Sequence, residues 1–154
     1  MSEVRVWRSR AAEILNDPSS AVLFAQDASK CGGALSGSMA DVVAVYEAME
    51  GSGTAQCFAA RAGDELMGLA VVVRERLPPH GVRAAVVDRL AVKHEAGRSR
   101  TFELLMAAAE EYARECGCAA IYYSVPAGSP QAQMMFLSSD RYTNTNHVFV
   151  GRLG

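Results

Sequence analysis

The sequence predicts a mixed α/β (α+β) fold, in which a mostly antiparallel sheet carries helices on both faces. Two apolar runs, 56–61 and 66–74, are separated by a short Gly-Asp turn and predict a β-hairpin. A third apolar run, 82–92, continues this meander and is followed by a helical pattern and another strand-like run, 119–125. Strand, helix and strand in this order predict a parallel strand pair joined by a crossover helix.

Length and composition are those of a single globular domain over 1–154. Of the 154 residues, 50% are hydrophobic and 21% are charged, which is enough apolar material for one core. The formal net charge of −2 argues against a dedicated nucleic-acid binder. The sequence shows neither the apolar core of a secretory signal nor the roughly 20-residue apolar run of a membrane helix. We therefore expect a cytoplasmic protein that does not bind membranes.

The spacing of cysteines and histidines does not indicate a metal site. The four cysteines include no pair separated by two residues, and the three histidines are scattered along the chain. Cys116 and Cys118 flank a glycine at the predicted end of a helix, where small residues fit. We expect no bound metal, and reduced thiols as in an intracellular protein.

The N-terminal third is predicted to contain two short helices and a Gly/Ser-rich loop. After a short alternating run at 4–7, Ser9 is in position to cap a helix over 10–16. A second helix is expected to begin at 19 or 20 and to end at 28. The segment 29–38 then forms a loop by its composition. This loop either lines a substrate pocket or simply connects two helices.

Two longer amphipathic helices are predicted by apolar residues at three- and four-residue spacing. The first, 39–50, ends at the glycines of 51–53 and has the apolar residues Val42, Val43, Val45, Tyr46 and Met49. The second, 100–115, ends at Gly117, and its buried stripe is Phe102, Leu105, Met106, Ala109 and either Tyr112 or Ala113. Its water-facing residues are Glu103, Glu110, Glu111 and Arg114. Pro130 then opens a short helix, 131–138, and 147–152 forms a last strand.

The segment between the strand 82–92 and the long helix is rich in glycine, serine and arginine. A turn of this kind presents free backbone N–H groups and the positive end of the helix dipole, and both attract anions. Arg98 and Arg100 add charge that would strengthen hydrogen bonds to a phosphate. The sequence therefore predicts a phosphate-binding turn. The simpler alternative is a solvated loop that precedes a helix.

Four segments carry a resemblance to a known family: the hairpin 59–71, the strand 87–92, the turn with Leu104-Leu105 behind it, and 141–146. Together they resemble the GCN5-related N-acetyltransferases (GNAT), and the chain looks like the small stand-alone members found in bacteria and their phages. The resemblance covers Gln56 to the C-terminus. It implies a GNAT-like sheet with a splayed parallel strand pair. It also implies acetyl-CoA as co-substrate and transfer of the acetyl group to a primary amine by direct attack on the thioester.

The resemblance also implies where acetyl-CoA binds. In the family, backbone amides of a glycine-rich turn hold the pyrophosphate. Gly97 matches the first glycine position here, while Ser99 and Thr101 match the later ones and offer hydroxyl groups. Arg98 and Arg100 supply positive charge that the family usually supplies just upstream. The family's acyl recognition by backbone groups of the central strand corresponds here to Leu90, Ala91 and Val92, and a splay from the strand 119–125 admits the pantetheine arm.

The catalytic groups are likewise implied by the resemblance. Asp88 lies where many members have a glutamate that acts through water as general base; alternatively it pairs with Arg89 or faces solvent. Many members have a tyrosine general acid in a Phe-Tyr pair on the last helix, and this pair is Phe136-Leu137 here. Tyr123 is the replacement we select, with these tyrosines as alternatives: Tyr122 and Tyr142. A dedicated acid is also dispensable, because a thiolate is a tolerable leaving group.

Three functions stay open from the sequence, and the third of them is a purely structural or interaction protein of phage type. The first is an acetyl-CoA-dependent N-acetyltransferase that acts on a small molecule or a protein. The second is a catalytically weak or inactive GNAT-like module that binds acyl-CoA or a protein partner, which the incomplete glycine motif and Leu137 favour. The apolar segment 134–137 either packs onto the sheet or forms the seam of a homodimer. No motif indicates the acceptor amine.

Overall fold

The structure is a computed structural model that describes residues 3–21, 23, 38–77, 81–93, 98–125, 128–138 and 140–144. Within these residues the sheet has five strands in chain order, namely β1 (Val4–Ser9), β2 (Ala55–Ala62), β3 (Glu65–Leu77), β4 (Val82–Val92) and β5 (Ala120–Tyr123). The β4–β5 pair is parallel and the other neighbouring pairs are antiparallel. The helices with described bounds are α1 (Ala11–Leu15), α2 (Met39–Gly51), α3 (Arg98–Glu115) and α4 (Pro130–Leu137).

Helices cover both faces of the sheet, so the predicted mixed fold is confirmed. On one face, which we call the α2 face, α1 and α2 enclose a core that includes Ile14, Tyr46 and Leu69. On the opposite face, which we call the α3 face, α3 packs against the other side chains of the same strands. Side chains alternate between the two cores because successive residues of a strand point to opposite faces.

The strongest sequence patterns are confirmed in detail. Gly63 adopts a φ of 59° in the tight turn that joins β2 to β3, and β4 has the predicted bounds. The stripe of α3 is buried along its whole length, including both Tyr112 and Ala113. Gly117 follows the helix with a φ of 71°, the left-handed conformation that a C-terminal glycine supplies without steric cost. The helix begins two residues earlier than the spacing predicts, at Arg98.

The predicted cap of the first helix is wrong. Ser9 is the last residue of β1, and Arg10 occupies the N-cap position without a side-chain hydrogen bond. The free amide of Ala11 instead donates to Oε1 of Glu50, 2.9 Å away, at the end of α2. A distant carboxylate therefore does the capping that the local sequence assigns to a serine.

For two side chains on the predicted helices, the predicted exposure to solvent is wrong. Val45 of α2 is exposed, although it belongs to the apolar set of that helix. The carboxylate of Glu110 on α3 is only 12% exposed, because Arg141 and Tyr142 cover it.

The aromatic strand is also shorter than expected, since β5 comprises only 120–123.

Several predictions fall outside the described residues. They are most of the second helix, the Gly/Ser loop up to 37, the Pro-Pro turn, Gly97 and the last strand, 147–152. In the part of the chain that is described, no group of His, Cys, Asp and Glu side chains is arranged to hold a metal ion. None of the described helices is both long and apolar enough to span a membrane.

Candidate active site

The parallel strands β4 and β5 separate part of the way along β4. Their ladder runs from Ala84↔Ala120 to Val87↔Tyr123, and one further bond follows, from the amide of Ser124 to the carbonyl of Val87 at 3.1 Å. β4 continues to Val92. The last part of this strand therefore has β3 on one side and no strand partner from β5 on the other, as the predicted splay requires.

The peptide groups of Leu90 and Val92 face this open side. In an antiparallel pair, residues alternate between exchanging backbone bonds with the partner and pointing away from it. The amide of Lys93 donates to the carbonyl of Met67 at 2.9 Å, so Lys93 exchanges backbone bonds with β3. The preceding residue, Val92, therefore points its peptide groups away from β3. The carbonyl of Leu90 accepts a bond from Nε2 of Gln131 on α4, at 3.0 Å, and so also points away from β3. Ala91 turns its peptide groups toward β3.

A β-bulge lies at Asp88, just before this open stretch. Val72 of β3 pairs with Val87 and the preceding Val71 pairs with Arg89, so Asp88 is the extra residue of β4. The flanking Val87 and Leu90 both belong to the α3-face core. Asp88 and Arg89, which lie between them, both reach the α2 face.

Tyr46 of α2 joins the two bulge side chains. Its hydroxyl donates to Oδ2 of Asp88 at 2.7 Å and accepts from Nε of Arg89 at 3.2 Å. The ring is 6% exposed, while Asp88 is exposed to solvent. Burial, and then the Asp88 carboxylate, raise the pKa of Tyr46 above its usual range. The sequence predicted Tyr46 as a core residue and gave no signal for this polar contact, which spans 42 positions.

Tyr123, the predicted acid, lies on the other face of the sheet from Asp88. It packs against the α3-face core and meets Tyr142 edge to face, with ring centroids 5.4 Å apart. Its hydroxyl is buried and has no hydrogen-bond partner among the described residues. Burial, and then the Glu110 carboxylate, raise the pKa of Tyr123. Since side chains alternate along β5, Tyr122 is the tyrosine that faces the side of Asp88.

The N-terminus of α3 is held against the sheet at Gly68 of β3. A Cβ atom on Gly68 would lie 2.9 Å from the carbonyl oxygen of Ala91 and 3.2 Å from Cγ2 of Thr101. Only a residue without a side chain permits this approach of helix and strand. Thr101 is consequently 1% exposed and lies between α3 and the sheet, so its hydroxyl is not on the surface, where the resemblance implies a contact with phosphate.

The first turn of α3 is basic. It contains no acidic residue, and Arg100 is exposed. The side chains of Arg98 and Ser99 lie outside the described part of the chain. Positive charge at the positive end of a helix dipole is unfavourable unless an anion is bound there. The first turn of α3 therefore has the charge that the predicted phosphate turn requires, while the buried Thr101 offers it no exposed hydroxyl.

The last two residues of α4 point to solvent. Phe136 and Leu137 are exposed, while the preceding Met134 and Met135 are half-buried and pack against the α3-face core. The predicted cluster 134–137 is therefore split between core and surface. Leu137, at the usual tyrosine position, is on the surface.

Comparison with known proteins agrees with this architecture. The family model described as "Acetyltransferase (GNAT) family" matches residues 11–137. No curated protein matches the chain significantly in sequence.

Solved structures share the fold over nearly the whole chain. One is a GNAT family acetyltransferase from Staphylococcus aureus subsp. aureus USA300_TCH1516, with a TM-score of 0.70 and 12% identity over 99% of this chain and 100% of that one. A ribosomal-protein-alanine N-acetyltransferase from Brucella melitensis biovar Abortus 2308 has a TM-score of 0.63 and 18% identity, covering 99% and 100%. The aminoglycoside acetyltransferase meta-AAC0020 from an uncultured soil metagenomic sample, in complex with trehalose, has a TM-score of 0.66 and 14% identity, covering 98% and 95%. These identities show the fold alone, whereas the family model spans most of the chain, and the chain therefore belongs to the GNAT family of acetyltransferases.

Proposed function

We propose that this protein is an acetyl-CoA-dependent N-acetyltransferase that moves an acetyl group to a primary amine. The observation that carries the proposal is the open side of β4, where the peptide groups of Leu90 and Val92 have no partner strand from β5. The basic first turn of α3 begins six residues after this strand ends. An extended ligand with amide groups at one end and phosphates at the other fits these two features in order.

In the proposed complex, the two parts of the site bind different parts of acetyl-CoA. The peptide groups of Leu90 and Val92 pair with the amides of the pantetheine arm, as a neighbouring strand would. The amides of the first turn of α3, together with Arg98 and Arg100, hold the pyrophosphate. Ala91 contributes its small side chain in the α2-face core and no peptide group.

Asp88 is the proposed general base. Its carboxylate is exposed on the α2 face, one residue beyond the point where β4 and β5 separate. Asp88 accepts a proton from the acceptor ammonium through a water molecule, which frees the nitrogen lone pair. The nitrogen then attacks the thioester carbonyl carbon, so that a C–N bond forms while the C–S bond breaks, and the nitrogen releases its second proton to solvent as the amide forms.

The structure favours transfer without a dedicated acid. Tyr123 is on the opposite face from Asp88, and Leu137 replaces the usual tyrosine. A thiol has a pKa of about 8.5, so the departing thiolate takes its proton from solvent without a large penalty. The proposed role of Tyr123 as acid would require its buried hydroxyl to reach the gap between the strands.

Calorimetry with acetyl-CoA, followed by a thiol-release assay on a panel of amines, tests the proposal. Binding together with amine-dependent thiol release supports it. An absence of binding at high micromolar acetyl-CoA refutes it. Binding without thiol release favours the non-catalytic module, an alternative that the exposed Leu137 supports. As a specific check, Asp88→Asn should lose most turnover while the matched exposed variant Asp64→Asn, in the β2–β3 turn, keeps it.

A further inference from the structure

Tyr46 stands behind Asp88 with a geometry that fixes the direction of its hydroxyl proton. The guanidinium of Arg89 can only donate, so the bond from Nε of Arg89 uses an acceptor lone pair of the phenol oxygen. The phenol proton is then free to point at Oδ2 of Asp88, 2.7 Å away. The three groups form a chain of donors that runs from Arg89 through Tyr46 to the carboxylate.

We infer that Tyr46 is a positioning residue for Asp88, holding the carboxylate in one orientation at the open side of β4. This inference rests on the proposed function, in which Asp88 is the base. An exposed aspartate samples several rotamers, whereas the ring of Tyr46 is fixed in the core at 6% exposure. Because the bond engages Oδ2, Tyr46 leaves the other carboxylate oxygen for the water that carries the proton.

The β-bulge is what makes this arrangement possible. In a regular strand, Asp88 and Arg89 would point to opposite faces of the sheet, and only one of them would reach α2. The extra residue brings both to the α2 face beside Tyr46. Bulges next to active sites commonly re-aim a side chain in this way. The bulge and the phenol therefore orient Asp88 together. Of the two, the hydroxyl of Tyr46 can be removed by a conservative substitution.

The variant Tyr46→Phe removes the hydroxyl and keeps the ring. Its kcat should fall about tenfold, because the base loses its fixed orientation, while its affinity for acetyl-CoA stays unchanged. The matched control is Tyr112→Phe, another buried tyrosine, which lies on α3 at the opposite face and should keep the wild-type kcat.

The decisive measurement repeats Tyr46→Phe in an Asp88→Asn background. If Tyr46 acts through Asp88, the second substitution causes no further fall in kcat. An equal fall in both backgrounds, or an unchanged kcat in Tyr46→Phe alone, overturns the inference and leaves the proposed function standing. If the wild type binds acetyl-CoA but acetylates no amine, the proposed function fails together with the positioning role. Urea unfolding of the wild type, Tyr46→Phe, Asp88→Asn and the double variant then shows whether the Tyr46–Asp88 bond itself exists. If it does, the double variant loses less free energy of unfolding than the sum of the two single losses.

Discussion

The side-chain amide of Gln131 lies 3.0 Å from the carbonyl oxygen of Leu90 and ties α4 to the open side of β4. A carbonyl oxygen only accepts, so the atom at this contact must be the amide nitrogen, and the assignment of Nε2 is fixed by chemistry. The other end of the amide, Oε1, is buried and has no hydrogen-bond partner in the part of the chain that the structure describes. Gln131 thus satisfies one polar atom of β4 and leaves one of its own unsatisfied.

We expect Gln131→Ala to bind acetyl-CoA about fivefold more tightly, because a net hydrogen bond is worth about 1 kcal/mol and the ligand would no longer compete for the carbonyl of Leu90. Stability should change by less than about 1 kcal/mol, since the lost bond is offset by removal of a buried unsatisfied oxygen. Calorimetry and urea unfolding measure the two effects. Gln133→Ala, an exposed glutamine on the same helix, is the control and should bind like the wild type. Weaker binding by Gln131→Ala would mean that the amide contacts the ligand directly.

Reversing both charges of the first turn of α3, in Arg98→Glu with Arg100→Glu, should weaken acetyl-CoA binding by more than about tenfold. Two carboxylates would then replace two arginines in a first helix turn that contains no acidic residue, and they would repel the phosphates. A control of equal charge change is Arg8→Glu with Arg114→Glu, because both side chains are exposed and lie at the C-terminal end of α3, the opposite end of the helix from this turn. Calorimetry at two salt concentrations separates a local contact from a general charge effect. Equal affinity in the double variant and the wild type would place the phosphate site elsewhere.

The sequence predicts the parts of this structure that depend on local periodicity. The stripe of α3, the bounds of β4 and the glycine of the β2–β3 turn follow from spacing and turn chemistry, and all three are confirmed. Contacts between distant segments are not encoded in spacing. Glu50 caps a helix that begins 39 positions earlier, and the side chain of Glu110 is covered by residues 31 and 32 positions later.

The candidate site shows the same limit. The resemblance implies acyl recognition at Leu90, Ala91 and Val92, and of these Leu90 and Val92 turn their peptide groups to the open side of β4 while Ala91 does not. The bulge at Asp88 depends on how β3 pairs with β4 and has no local signature. The sequence consequently treats Tyr46 as a core residue and Tyr123 as a catalytic one. The strand pairing decides which hydroxyl lies near the proposed base. The hydroxyl of Tyr46 donates to Asp88, whereas Tyr123 lies on the opposite face of the sheet.

Gly68→Ala should destabilise the protein by about 1–3 kcal/mol, the usual cost of forcing a methyl group into a packed site. The added Cβ would lie 2.9 Å from the carbonyl oxygen of Ala91, and a backbone atom in a strand cannot move aside as a flexible side chain can. Urea unfolding measures the effect. Gly51→Ala is the matched control, because nothing lies within 4 Å of its added Cβ, and it should be neutral or slightly stabilising. A Gly68→Ala protein as stable as the wild type would show that α3 is not held closely at this point.

Alkaline pH should destabilise the fold partly through Cys57. Burial, and then the Glu50 carboxylate, raise the pKa of this thiol from 9.0 to about 12. The unfolded chain therefore releases the thiol proton at lower pH than the folded chain does, and the folded state binds more protons between those two values. The contribution of Cys57 to the free energy of unfolding is complete below pH 9 and declines as pH rises toward 12, by at most about 1.4 kcal/mol per pH unit.

Urea midpoints between pH 8 and 10.5 should fall less steeply for Cys57→Ala than for the wild type. Some slope should remain in the variant, because burial also raises the pKa of Tyr142, to about 12, and that phenol adds a decline of the same sign. Identical slopes in Cys57→Ala and the wild type would show that the thiol does not titrate differently in the folded and unfolded chains.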